Sequence, residues 1–255
     1  MTQHSNKIAL VTGASRGLGK NSALALARRG AGVIVTYHSN EAAAQEVVSE
    51  IEAIGGKAVA LQLDSADIPS FSQFVGEVSQ SLNEVWQTDR FDFLVNNAGT
   101  GINQPFVDMT ESQFDQMYNI HVEGVFFLTQ KLLPIINDGG RVVNVSSGLT
   151  RYTFAGYSAY ARAKGAIETL TNYLAKELGS RQITVNVVAP GAIETDFGGG
   201  AVRDNKDLNA FIASQTALGR VGLPDDIGGA IASLLSEENR WITGQRIEIS
   251  GGMYL

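Results

Sequence analysis

The strongest constraint on this chain is the recurrence of short β-branched runs along its length. They are "KIALVTG", "GVIVTY", "KAVALQLD", "FDFLVNNAG", "GRVVNVSS", "ITVNVVAPG" and "QRIEIS". Most are apolar at successive positions rather than alternate ones, the pattern of strands buried on both faces. Helical patterns lie between them, at about residues 17–29, 41–54, 67–87, 110–137, 157–179 and 224–236. Strands that alternate with helices through right-handed crossovers build an α/β fold. Here that is a doubly wound parallel sheet of about seven strands, flanked by helices on both faces.

No linker, repeat or low-complexity tract divides the chain, so residues 1–255 read as one domain. One stretch breaks the alternation: "ETDFGGGAVRDNKDLNAF", residues 194–211, with three consecutive glycines. A long connection after a strand's C-terminal end suits a substrate lid, expected at about residues 192–215. The insertion-like "SLNEVWQTDRF", residues 81–91, suggests no function of its own.

Composition excludes several alternatives. The formal net charge is −7 and the 19 Lys and Arg are scattered, which argues against nucleic acid or an anionic membrane surface as partner. The absence of cysteine removes disulfides, thiolate nucleophiles and thiolate metal sites. His4, His38 and His121 have no metal-ligand spacing, so no metal is expected. The opening "MTQHSNKIALVTG" runs into an apolar strand too short for a signal or membrane helix, and a cytoplasmic location is the expectation.

The first strand runs into "TGASRGLGK", with glycines at 13, 17 and 19. Such a turn lets backbone approach a pyrophosphate and aims helix N–H groups at it. A P-loop would need Gly in place of Ala14 and Ser or Thr in place of Asn21, so that reading fails. The second strand ends Thr36-Tyr37-His38-Ser39-Asn40, with no acid to hold a ribose 2′-hydroxyl. Arg16 lies inside the glycine turn, where a guanidinium can grip a 2′-phosphate. Together these favour NADP over NAD.

In "AGYSAYARAK", Tyr160 and Lys164 are four residues apart and share a helix face, while Tyr157 lies nearly two turns before the lysine. With these motifs assembled, the chain resembles the short-chain dehydrogenases/reductases. The likeness runs from "VTGASRGLG" through "NNAG" (96–99), "NVSS" (144–147) and "YARAK" (160–164) to "APGAIET" (189–195) and "ITGQRIEISGG" (242–252). It implies a single Rossmann-type domain that transfers hydride between a nicotinamide and a carbonyl or alcohol. In proteins of this type the catalytic serine precedes the catalytic tyrosine by thirteen residues. Ser147 to Tyr160 fits that spacing, and Ser147 to Tyr157 does not.

The residue types suit the chemistry. Ketone reduction delivers hydride to carbon and a proton to oxygen, with negative charge growing on that oxygen. Ser147 can position the oxygen, and Tyr160 can supply the proton. A phenol has an unperturbed pKa of about 10, so the cation of Lys164 is expected to lower it, and the resemblance implies that the same lysine holds the nicotinamide ribose. The resemblance adds Asn119, as the keeper of a water in a proton relay. It also assigns Gly13, Ser15, Arg16, Gly17, Leu18 and Gly19 to the phosphates, and Tyr37, His38, Ser39, Asp64 and Ser65 to the adenosine end. Asn96, Ala98 and Gly99 pass beneath the cofactor, while Pro190, Gly191, Ile193 and Thr195 flank the nicotinamide.

The nearest likeness is to 3-oxoacyl-acyl-carrier-protein reductases and ketoreductases similar to them. An acidic carrier needs a basic mouth, and Lys131, Lys176 and Arg181 offer little of one. A small ketone or ketoester is therefore the expected substrate, with Phe154, Tyr157, Ile193 and Phe197, and Phe211 as a further candidate, as its apolar walls. Sugar or polyol dehydrogenation and a non-catalytic NADP sensor are the alternatives. The resemblance further implies a homotetramer, or failing that a dimer, paired through the helices at about 110–137 and 157–179.

Overall fold

The structure, a computed structural model, describes residues 4–255. Residues 1–3, which begin the stretch read above as too short for a leader, lie outside the described residues. The first half contains β1 (Ile8–Val11), α1 (Gly17–Arg28), β2 (Gly32–Tyr37), α2 (Glu41–Ala53) and β3 (Ala58–Gln62). Then come α3 (Phe71–Ser81), β4 (Phe91–Asn96), α4 (Glu111–Tyr118), α5 (Gly124–Leu132), β5 (Ile136–Val145), α6 (Ser158–Glu177) and β6 (Thr184–Pro190). The chain closes with α7 (Ala201–Asp204), α8 (Lys206–Ser214), α9 (Pro224–Leu234) and β7 (Arg246–Ile249).

The strands form one sheet in the order β3-β2-β1-β4-β5-β6-β7. Every pairing is parallel. Strand order reverses between β1 and β4, and the crevice at their C-terminal ends is where ligands of open α/β sheets bind. Alternate residues of each strand enter opposite cores. Ala9 and Val11 pack with Ala23, Leu26, Val47, Ile51, Ile227 and Ile231 of α1, α2 and α9. Ile8 and Leu10 pack with Phe71, Phe74, Val78, Leu128 and Leu132 of α3 and α5.

The structure corrects the helix expected at 110–137. It is α4, a π turn at Asn119–Glu123, α5 and a 3₁₀ turn at Leu133–Ile135. Pro134 lacks an N–H and cannot prolong the helix. The strand then starts at Ile136, earlier than the "GRVV" run, with an irregularity between the pairings of Phe91 and Phe93. Thr110 and Gln113 close the start of α4 with a capping box.

The expected helix at 67–87 likewise ends in a π turn, Leu82–Trp86, which Gln87 stops in the left-handed conformation (φ 57°). This gives residues 81–91 a structural role: the Trp86 indole lies so close to Gly32 that a β-carbon there would collide with it. The segment expected to be a lid contains a 3₁₀ turn at Phe197–Gly200 followed by α7 and α8. Ile212 of α8 packs with Val221, Met253, Phe154 and Tyr254, so this segment rests on the C-terminal tail.

Candidate active site

The crevice floor is built from the ends of β1 and β4. The Thr12 hydroxyl accepts from the backbone N–H groups of Asn97 and Ala98, each at 2.9 Å. The Asn97 amide donates back to the carbonyls of Thr12 (2.9 Å) and Gly13 (3.2 Å). These bonds clamp the glycine turn onto the segment after β4. Gly13 has φ +63°, and a β-carbon there would come 2.8 Å from the Ala98 Cα. At Gly19 a β-carbon would strike the Gly13 carbonyl and the Asn97 amide. Arg16 precedes α1 in an extended conformation, and no side chain caps the helix. The first-turn N–H groups of α1 are left for an anion.

Opposite this turn lies the end of β6. Thr195 sits 3.8 Å from where a β-carbon of Gly17 would stand, so the glycine turn and the 190–195 segment face each other across the crevice. The Thr195 hydroxyl accepts from the Phe197 N–H at 3.2 Å, and Ile193 bridges to Gly222. At the other end, His38 and Asp64 meet at 3.5 Å where β2 and β3 finish.

The catalytic candidates converge where β5 meets α6. Tyr160 and Lys164 are only 6% and 5% exposed. Lys164 donates to the Val145 carbonyl at 2.7 Å and lies 5.7 Å from the centroid of the Tyr160 ring. Ser147 begins a 3₁₀ turn and accepts from the Leu149 N–H at 3.2 Å. Glu168 steadies that corner, accepting from Ser146 (2.7 Å) and from Arg246 of β7 (2.9 Å). Phe197 lies 5.5 Å from the Tyr160 ring and Tyr157 lies 6.5 Å from it. Phe154 instead joins Tyr152 and Tyr254 in the cluster beneath α8, and Phe211 is half exposed.

The electrostatics depart from the sequence reading at Tyr160. Burial pushes the phenol well above its usual range, outweighing the Ser147 hydrogen bond that favours the phenolate. The lowering expected from Lys164 does not appear, because the lysine is buried as well. Desolvation pulls its ammonium down to about 7, so it is only partly charged near neutrality.

Asn119, expected in the relay, is not the residue of this turn whose ring meets Tyr160. Residues two apart on a helix do not share a face, and it is His121 that turns toward the site. Its ring stands edge-on to Tyr160, with centroids 5.3 Å apart. Among the described residues, no hydrogen bond involves the Asn119 side chain. Asn96 lies in the sheet interior, where its amide donates to Thr129 (3.0 Å) and Asn144 (2.8 Å).

With this geometry in place, comparison with known proteins is direct. Residues 13–254 match the profile of the family described as enoyl-(acyl carrier protein) reductase. A short-chain dehydrogenase/reductase of Pestalotiopsis microspora is 36% identical over 98% of both chains. The chain belongs to the short-chain dehydrogenase/reductase family. As a member of that family it is an oxidoreductase. Two solved family members superpose over 99% of it, each with a TM-score of 0.94. One is LugOII, a promiscuous reductase catalysing keto-reduction at C1 during lugdunomycin biosynthesis, 40% identical and fully covered. The other is the angucycline C-6 ketoreductase LanV with bound NADP, 36% identical and 97% covered.

Three residues that the structure places at the crevice were not singled out in the sequence: Thr12, Asn97 and His121. A signal for His121 was present. Met117, His121, Gly124 and Leu128 are all buried and recur at helical spacing, whereas Asn119 lies off that stripe. Among the described residues, no cluster of side chains fits a metal ion, and no helix is long and apolar enough to cross a membrane.

Proposed function

We propose that this chain is an NADPH-dependent ketoreductase acting on a small, hydrophobic ketone or ketoester, with alcohol oxidation as the reverse reaction. One observation carries the reading: Ser147, Tyr160 and Lys164 converge in a buried corner of the crevice that the glycine turn enters from the other side. Catalysis by LugOII and LanV of keto-reductions supports the same class of substrate. Bound NADP in LanV supports the cofactor.

The residues fit that cofactor. The turn through Gly13 and Gly17 has two positive-φ glycines at the uncapped start of α1, where Ser15 and Leu18 also lie and a pyrophosphate finds backbone donors. Arg16 is exposed and forms no ion pair among the described residues, so its guanidinium is free for a 2′-phosphate. Tyr37, His38, Ser39, Asp64 and Ser65 border the adenosine end. Ala98, Gly99, Pro190, Gly191, Ile193 and Thr195 border the nicotinamide end. Bound NADPH supplies the hydride.

The protein's own groups do the rest. Ser147 holds the substrate oxygen and Tyr160 donates a proton to it as charge develops. Burial keeps the phenol protonated at neutral pH, so the proton is present, and a cation beside it is what eases its transfer. Lys164, close to half-charged near pH 7, supplies the cation that the phenolate needs after transfer. Tyr157 and Phe197 flank the Tyr160 ring and favour an apolar or aryl carbonyl over a polyol.

The family description supports a second reading, an acyl-carrier substrate. Arg181 argues against it, because its guanidinium bonds Asp138 (2.7 Å) and the Leu133 carbonyl (2.9 Å) instead of facing outward. Homotetramer assembly through α4, α5 and α6 is supported by exposed apolar side chains there, Phe126 and Tyr173 among them.

The test is NADPH and NADH consumption against aryl ketones, β-ketoesters and an acyl-carrier mimic. NADPH-selective turnover of the free ketones is the expected result. Turnover of the carrier mimic alone would favour the second reading.

A further inference from the structure

The 19 Lys and Arg are scattered along the sequence, but the fold gathers four of them on one edge of the sheet. Strands that all run parallel all start at the same edge. Lys7 stands immediately before β1, Lys57 before β3 and Arg90 before β4. In the order β3-β2-β1-β4 these three cations share the edge opposite the crevice. Arg28, the last residue of α1, joins them.

β2 enters between β3 and β1 with no such side chain, because the chain there reads Gly30-Ala31-Gly32. Gly32 cannot carry one, since the Trp86 indole fills the place of its β-carbon. What remains is a cavity of about 880 Å³, a size typical of small-molecule sites. Ile8, Ala27, Ala31, Ile54 and Trp86 give it an apolar wall.

The charge around this hollow is unbalanced. Asp92 is the one acid among the described residues that line it. It is 4% exposed and already accepts from Lys7 Nζ (2.9 Å), the Ile8 N–H (2.9 Å) and the Asn137 amide (3.2 Å). Arg28, Lys57 and Arg90 form no ion pair and no side-chain hydrogen bond among the described residues. Of the acids close by in sequence, Asp138 is held by Arg181, and Glu52 and Asp89 do not line the cavity. A cation at the end of α1 answers the helix carbonyls, but Lys57 and Arg90 lie in no helix. In a chain of net charge −7, three uncommitted cations round one apolar hollow favour an anionic guest. The indole adds a second mark: Trp86 Nε1 is buried with no acceptor, a costly state for an N–H donor.

We propose that this hollow is a second binding site, for a small organic carboxylate with an apolar body. The carboxylate lies among Arg28, Lys57 and Arg90, and the body lies against Trp86 and Ile54. A bare inorganic anion would leave the apolar wall wet, and a neutral lipid would leave the cations unanswered. An oxygen of the guest gives Nε1 its acceptor once the ring tilts off Gly32. The length of the strands separates this site from the crevice, so its guest is not the substrate in transit.

The probe is octanoate, titrated into the protein by calorimetry. Octan-1-ol serves as the body without the charge, and inorganic phosphate as the charge without the body. Octanoate should bind saturably at one site and more weakly as salt is raised. Both controls should bind about tenfold more weakly or worse. The double variant Lys57→Ala/Arg90→Ala should lose about tenfold or more in octanoate affinity. Both side chains are exposed, so the variant keeps the parent's fold. Absence of saturable binding, or phosphate binding as tightly as octanoate, overturns the proposal. Binding that the double variant leaves untouched overturns it too, and places octanoate in the crevice.

A second readout uses the two tryptophans, Trp86 and Trp241. Trp241 is 94% exposed, so Trp241→Phe leaves Trp86 as the sole emitter without disturbing the core. Its emission should change with octanoate and saturate over the concentrations that calorimetry gives. Emission that stays constant while octanoate binds overturns the proposal, because the guest then lies away from Trp86.

Discussion

The imidazole of His121 stands almost perpendicular to the phenol of Tyr160, with planes at 86° and centroids 5.3 Å apart. A neutral ring in that position ties the stability of the whole molecule to pH. The folded protein binds the imidazole proton only at about pH 3, whereas an unfolded histidine binds it at about 6.5. Between those values the unfolded chain holds the extra proton. The stability contribution is therefore complete above about pH 6.5 and falls as pH drops, by at most about 1.4 kcal/mol per pH unit. Urea unfolding at successive pH values should show a shallower acid slope for His121→Leu than for the parent. His4, whose pKa burial also lowers, adds a slope of the same sign that both proteins retain.

Tyr160→Phe keeps the ring and removes the proton. Turnover should fall by about 100-fold to 10,000-fold, the usual worth of a general acid. Tyr157→Phe should stay within a few-fold, on the order of the loss of a minor contact. Steady-state NADPH oxidation by the three proteins decides it. Comparable losses in the two variants would reassign the acid.

Arg16→Ala should weaken NADPH binding by about tenfold or more and leave NADH nearly unaffected, since only the 2′-phosphate distinguishes them. Titration with both nucleotides checks this. An equal change for both would move the 2′-phosphate contact elsewhere, with His38 as the next residue to test.

Gly19→Ala adds one carbon, against the Gly13 carbonyl and the Asn97 amide. Backbone on one side and an engaged amide on the other leave little room to yield. The glycine turn must shift, at a cost of about 1–3 kcal/mol. NADPH affinity should fall along with the unfolding midpoint.

Asn96→Leu breaks a chain of buried amides in which Asn96 bonds Asn144 and Asn144 bonds Thr171 at 2.9 Å. The orphaned Asn144 oxygen should lower stability by about 1–3 kcal/mol. Catalysis by the fraction still folded should change little, because Asn96 braces the sheet from within. Denaturant midpoints and kcat measured together separate the two effects.

Much of this molecule could be read from its sequence for a physical reason. Parallel strands buried on both faces leave long apolar runs, and tight backbone approach at Gly13 and Gly19 tolerates only glycine. The two π turns were not legible, since one extra residue in a helical turn leaves no periodic trace over so short a span. Asn119 fits a relay by residue type, whereas the buried stripe of Met117, His121, Gly124 and Leu128, legible at helical spacing, runs along another face. Asn96 was ambiguous for a different reason: an amide next to a cofactor crevice and an amide bracing a sheet have the same letter in sequence. Tyr160's raised pKa depends on the sum of everything packed around it, which no spacing encodes.

The Glu168 corner has a consequence for biosynthesis. Its carboxylate holds the serine corner on one side and Arg246 on the other, and Arg151, four residues past Ser147, is held by Glu248 and by the Met253 and Tyr254 carbonyls. Arg246, Glu248 and Tyr254 leave the ribosome long after Tyr160 and Lys164. The bracing of the reaction centre is therefore complete only when the last strand has paired with β6, so loss of the final residues would loosen the serine corner while leaving the glycine turn's own clamp intact.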